Sequence, residues 1–143
     1  MHLSEHFTLE ELTVSEVAAR KGLDNKPDKS IIAELTKLAL FLEQIRALAK
    51  APISVSSGYR SIAVNAAVGG SKTSQHCKGH AADIRVKGFS PDQLMALIIK
   101  SDLQYDQLIR EFDSWVHVSI SDKPRKQALV IDRSGTRPYV IKA

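Results

Sequence analysis

Between residues 28 and 50, Ile31, Leu35, Leu38, Leu42, Ile45 and Ala49 recur at spacings of three and four. At 3.6 residues per turn these side chains fall on one stripe of a long helix, which starts at Asp28 or Ser30 and must stop before Pro52. This helix reads as core scaffold. The remainder of the chain consists mostly of short runs with strand character: "ISVSS" (53–57), "ADIRV" (82–86), "QLIREF" (107–112), "WVHVSI" (115–120), "QALVIDR" (127–133) and "RPYVIK" (137–142). Helices first and then mostly antiparallel strands define an α+β protein, with N-terminal helices packed on a mostly antiparallel sheet.

The punctuation supports this order. Thr8 caps a short helix at "TLEEL", and "SEVAARKG" gives another from Ser15 to Gly22. Ser90, Pro91 and Gln93 combine cap, first-turn proline and capping-box glutamine, and Leu94, Leu97 and Ile98 give that helix a buried face. "QLIREF" and "WVHVSI" turn at Asp113-Ser114, and the last two strands turn at Ser134-Gly135. "IAVNAAVGGSKTS", with Gly69-Gly70 and small polar residues, reads as a mobile or tightly turned loop. With 143 residues, the chain fits one domain over residues 1–143, helical in 1–50 and strand-rich in 53–143. We expect a monomer.

Bulk properties narrow the partners. No apolar run reaches the length of a membrane span. The start, "MHLSEHFTLEELT", is polar and acidic where a secretory signal has a basic start and an apolar stretch. Synthesis is therefore expected in the cytoplasm, and a membrane is not an expected partner. A single cysteine cannot form an internal disulfide, so the fold rests on its core and on any metal it holds. A net charge of +4 favours an anionic partner. The basic residues are scattered, with only "DKPRK" (122–126) dense, and aromatics make up 6% of the chain. A nucleic-acid surface of stacking aromatics along a basic stripe is therefore the weakest reading.

"SQHCKGHAAD" (74–83) gathers two histidines, the cysteine and an aspartate into ten positions. Cys77 lacks a third group to orient a catalytic imidazole, so it reads as a buried or half-buried thiol. A metal is the stronger reading. A catalytic zinc takes three protein ligands and leaves its fourth place to water. His76, in a loop, and Asp83, at the mouth of a strand, are close enough to share one ion. The third ligand must come from elsewhere, and His117 is the candidate. It lies in "WVHVS", where Val116 and Val118 point to one face and Trp115, His117 and Ser119 to the other. A histidine satisfied in the core fits that spacing equally well. Residues and spacing thus reach a candidate mononuclear zinc site and stop there.

The combination of "SGYRS", "SQHCKGHAAD" and "WVHVS" resembles the zinc D-alanyl-D-alanine peptidases, peptidase family M15, whose members act on peptidoglycan stem peptides. The pattern Ser-x-His-x-x-Gly-x-Ala-x-Asp, followed by a strand-borne histidine, is met by Ser74, His76, Gly79, Ala81, Asp83 and His117. The resemblance covers about residues 55–120 and is closest to a short subgroup found in phage genomes. It implies a hedgehog/DD-peptidase-like fold with residues 53–143 as catalytic core. It also implies one Zn2+ bound by His76, Asp83 and His117, with Arg60 as the catalytic and substrate-binding arginine and Ser74 as a substrate-binding serine. The partner it implies is a peptidoglycan stem peptide, cut as a D-Ala-D-Ala carboxypeptidase or an L-Ala-D-Glu endopeptidase would cut it. A phage lysin would reach the cell wall only after release.

One position departs from the family. Many members carry an acid three residues before the last histidine, where this chain has Ser114. Glu111 and Asp113 are the nearest carboxylates. Glu111 matches the offset of a glutamate in the related hedgehog signalling domain, and Asp113 reads as part of the turn, so Glu111 is the expected general base. The gap at Ser114 also motivates an alternative, a zinc-binding module of the same fold without hydrolysis. His80 reads as a bystander, and Tyr59 and Trp115 as walls of the cleft.

Overall fold

The computed structural model describes residues 1–141. Among these residues, five α-helices and six strands form an α+β arrangement, with three helices first and four strands last. The helices are α1 (Leu9–Thr13), α2 (Glu16–Lys21), α3 (Lys29–Ala49), α4 (Ile62–Ala67) and α5 (Pro91–Ile99). The strands are β1 (Ile53–Ser57), β2 (Ala81–Val86), β3 (Gln107–Glu111), β4 (Trp115–Ser119), β5 (Gln127–Asp132) and β6 (Gly135–Pro138). They form one sheet in the order β1-β2-β4-β3-β5-β6. Every adjacent pair is antiparallel except β3 and β5, which run parallel. The sheet is thus mostly antiparallel but mixed.

The caps form where the side chains invite them. Thr8 and Ser90 each complete a capping box, with Glu11 and Gln93 respectively, and Asp28 accepts the Ile31 N–H to start α3. Leu35, Leu38, Leu42 and Ile45 of α3 are fully buried, each contributing about 1.5–3 kcal/mol from burial. They pack with Leu94, Met95 and Ile98 of α5 and with one face of the sheet. That face carries Ala82, Ile84 and Val86 of β2, Val116 and Val118 of β4 and Leu108 of β3.

Because side chains alternate along a strand, the residues between these point to the opposite face. They include Asp83 on β2, His117 on β4, and Ile109 and Glu111 on β3, with Asp83 opposite His117 and His117 opposite Ile109 in the register. Helices α3 and α5 therefore cover one face, and the chemistry-bearing residues share the other.

Several details differ from the sequence reading. Residues 62–67, expected in a loop, form α4, because the Ser61 side chain accepts the Val64 N–H and Val64 and Asn65 are buried. His76, also expected in a loop, lies on a one-turn 3-10 helix, Gln75–Lys78, closed by Gly79 at φ 74°. The last strand, read at 137–142, occupies Gly135–Pro138 instead, and Lys142 lies outside the described residues. The turn between β3 and β4 takes in Phe112 as well as Asp113 and Ser114. Phe112 and Asp113 both have φ near 50° (52° and 51°), and the Ser114 N–H returns to the Glu111 carbonyl. No helix among the described residues is long and apolar enough to cross a membrane.

Candidate metal centre

His76, Asp83 and His117 meet on the uncovered face of the sheet. β2 and β4 set Asp83 and His117 side by side, and the 3-10 helix swings His76 over them. Oδ1 of Asp83 lies 3.4 Å from Nε2 of His76 and 3.2 Å from Nδ1 of His117. One donor atom from each residue falls within 4.8 Å of the others. Ligands about 2.0–2.1 Å from a common tetrahedral centre stand ~3.3 Å apart, so the two measured edges have the spacing of zinc ligands. All three residues are buried.

The surroundings fit a metal as well as the donors do. Nδ1 of His76 lies 2.7 Å from the carbonyl oxygen of Gly58. A carbonyl only accepts, so Nδ1 carries a proton, and Nε2 is the ring nitrogen turned toward Asp83. Burial pushes the Asp83 carboxyl up, but hydrogen bonds and charge from His117 and His76 outweigh it and hold the group well below the usual carboxylate range. Two nitrogens and an ionised oxygen around one point form a donor set suited to Zn2+.

Glu111 stands beside this cluster, its Oε1 3.9 Å from Nδ1 of His117. Burial and then the negative charge of Asp83 push its carboxyl above the ordinary glutamate value. The Trp115 indole N–H donates to Oε2 of Glu111 at 3.2 Å. Asp113 is exposed in the turn. Ser114 is exposed too, with its hydroxyl bonded to the Phe112 carbonyl. The β3–β4 register therefore puts Glu111, not Asp113, on the face that holds the cluster.

Arg60 approaches from the other side, its Nη2 4.0 Å from Oδ2 of Asp83. An open cleft of about 920 Å³ runs over the cluster, lined by Arg60, Ser74, His76, Glu111 and His117 and by the 121–125 segment leading into β5. Ser74 contributes its side-chain oxygen to the N-cap of the 3-10 helix, accepting the His76 N–H at 3.2 Å. Trp115 and Tyr59, expected as walls, do not line this cleft. Trp115 lines a separate groove of about 450 Å³ with Phe89 and Leu94, and its indole N–H bonds Glu111. His80 turns away, 3.5 Å from Glu34. Cys77 is half-buried, and burial raises its thiol pKa, as suits an inert thiol.

A profile of the peptidase M15 family matches residues 5–119. The chain belongs to the peptidase M15 family. The match includes all three residues of the cluster, together with Arg60, Ser74 and Glu111, and membership supports a peptidase. M15 peptidases are typically zinc-dependent, and the His76, Asp83 and His117 cluster is the candidate site for that ion. No curated protein sequence matches the chain.

Several residues that build this M15 site carry no local signal. Asn25 donates to the carbonyls of Thr13 and Tyr59 at 2.7 and 3.1 Å and accepts the Ser61 N–H at 2.7 Å, which holds the loop bearing Gly58 and Arg60. Asp106, buried at the cleft end, receives Arg125 through both of its oxygens and Gln75 at 2.8 Å. Asn65 bonds Arg60. Each acts across at least five positions, beyond what periodicity or capping reveals.

Proposed function

We propose that this chain is a zinc peptidase of hedgehog/DD-peptidase-like fold that hydrolyses an amide bond in peptidoglycan stem peptides. The single observation that carries the reading is the clustering of His76, Asp83 and His117 at ligand spacing, with a raised carboxyl at Glu111 next to it. His76, Asp83 and His117 would hold the ion. The chemistry it supplies is that of a Lewis acid, which polarises the scissile carbonyl and makes water acidic enough to attack near neutral pH. Glu111 takes the proton of the attacking water and returns it to the leaving amine. Its partial burial and its neighbour Asp83 raise its basicity for that task. Arg60 donates hydrogen bonds to the substrate oxygen as negative charge develops, and Ser74 contacts the substrate at the mouth of the 3-10 helix.

The cleft supports an anionic peptide. Lys78 and Lys123 line it with no ion pair among the described residues, whereas the cleft acid Asp106 is already matched by Arg125. A carboxylate-bearing stem peptide complements that surplus. For a lysin of phage or prophage origin, the protein acts on the wall after release from the cell.

The test is incubation of the purified protein with defined muropeptides, with and without a chelator, and mass analysis of the products. Chelator-sensitive cleavage of one amide bond is the expected result, and the product masses identify that bond. The alternative rests on Ser114, which supplies no acid where many family members have one. Bound zinc without any cleavage would favour a non-hydrolytic binding module of the same fold.

A further inference from the structure

Arg60, in its proposed role as partner of the substrate oxygen, is held unlike the other paired arginines, and the inference drawn from this rests on that role. The Arg60 side chain is only 16% exposed, and its Nε is buried with no partner. Other arginines here are gripped by carboxylates: Arg125 by Asp106 and Arg137 by Asp132, each through two nitrogens. Such a grip occupies the donors and cancels the charge. Arg60 escapes it. Its Nη1 donates to the neutral side chain of Asn65 at 3.1 Å, and the carboxylate of Asp83 stands 4.0 Å from Nη2, too far for a hydrogen bond.

Asn65 is itself locked. It is 4% exposed, and its Nδ2 donates to the Ser71 carbonyl at 2.8 Å. A carbonyl cannot donate, so the amide group must face Ser71 and the side-chain oxygen must face Arg60. The backbone carbonyl of Asn65 accepts the Gly70 N–H at 2.9 Å. Gly70 leaves the space this arrangement needs, because a Cβ there would stand 2.0 Å from Oδ1 of Asn65 and 3.0 Å from Nη1 of Arg60. The small-residue loop after α4 therefore closes on the pair from the cleft side.

We infer that Asn65 is a positioning residue: it fixes the plane of the Arg60 guanidinium over the cleft through a neutral hydrogen bond, leaving the positive charge free for the substrate oxygen. Asn65 touches no substrate and acts only through Arg60. A misplacement of about 1 Å at such a group costs up to ~100-fold in turnover.

The experiment combines a double-mutant cycle with a readout that needs no turnover. Zinc-loaded wild type, Asn65→Ala, Asn65→Asp, Arg60→Lys and the Asn65→Ala/Arg60→Lys pair are assayed on defined muropeptides. Zinc content and thermal melting are measured for each. Asn65→Asp keeps the shape and an acceptor for Nη1 but cancels the charge and gives up the donor to the Ser71 carbonyl, so its melting temperature is read beside its turnover.

Both single changes at 65 are expected to lower kcat by about 10- to 100-fold with zinc content retained, and Asn65→Ala to cost little further once Arg60 is lysine. Equal losses in both backgrounds, or wild-type turnover in Asn65→Asp, would overturn the inference. Nitrogen-15 NMR of the arginine side chains reads the positioning directly. Arg60 should show separate, slowly exchanging Nη signals in the wild type that merge in Asn65→Ala. Unchanged signals overturn the proposal even if no muropeptide is cut, whereas an inactive wild type with the expected NMR change sinks only the peptidase reading.

Discussion

Glu111 and Asp113 are two residues apart, yet only Glu111 lies beside the cluster, and Asp113 is exposed in the turn. The β3–β4 hairpin pairs Glu111 with Trp115 and Ile109 with His117, so Glu111 inherits the face of His117. Asp113 is spent on a turn with positive φ, a conformation that aspartate tolerates better than most residues. Glu111→Gln should therefore lower kcat by about 10²–10⁴-fold while the protein still binds one zinc. Asp113→Ala should stay close to wild type. Steady-state kinetics with metal analysis separates the two, and the reverse pattern would move the base to Asp113.

Asp106 makes a pH-dependent contribution that can be signed from the structure. Hydrogen bonds from Arg125, opposed by burial, bring its pKa from 3.8 to about 2. A carboxyl depressed on folding stabilises the protein above its unfolded pKa, and that stability is lost as pH falls through the folded value. The window thus runs from about pH 4 down to about pH 2. Arg125 is 56% exposed, which screens the pair, so the contribution is at most about 2 kcal/mol. Asp106→Asn should lower stability by up to that amount at pH 7, and denaturant titrations should show the gap closing as pH falls through this window.

At the scale of elements, the site depends on a close crossing between α1 and the end of β1. The Tyr59 N–H bonds the Leu12 carbonyl at 2.7 Å, and a Cβ on Gly58 would lie 2.3 Å from that oxygen. The carbonyl of Gly58 is also the group that orients His76. Gly58→Ala is expected to cost about 1–3 kcal/mol through overpacking and to weaken zinc binding at the same time. Thermal unfolding and a zinc competition assay test the two effects, and a stability loss with unchanged zinc affinity would uncouple the crossing from the site.

For the whole molecule, the cluster joins β2, β4 and the 3-10 helix, elements that no disulfide ties together. Metal that binds the folded chain alone adds stability by mass action, about 2.7 kcal/mol at a free concentration one hundred times Kd. Chelator should lower the melting temperature, and zinc should restore it. His117→Ala should melt at the same temperature with or without metal, and a persistent zinc shift in that variant would place the ion elsewhere.

The sequence by itself determined the long helix, its caps and most strands, because periodicity, capping and turn chemistry act within a few residues. The capping boxes at Thr8 and Ser90 and the stripe from Leu35 to Ile45 are of this kind. The ligand pattern around His76 and Asp83 was legible for a similar reason, since the two are seven residues apart. Residues 62–67 carried a local cap at Ser61, to which the fold added the burial of Val64 and Asn65. Tertiary structure alone decided the parallel placement of β5 beside β3 and the neighbours that Asn25 and Asp106 hold in place. These depend on contacts between segments far apart in the chain, and a buried amide or carboxylate reveals its partner only once the backbone has brought the two together.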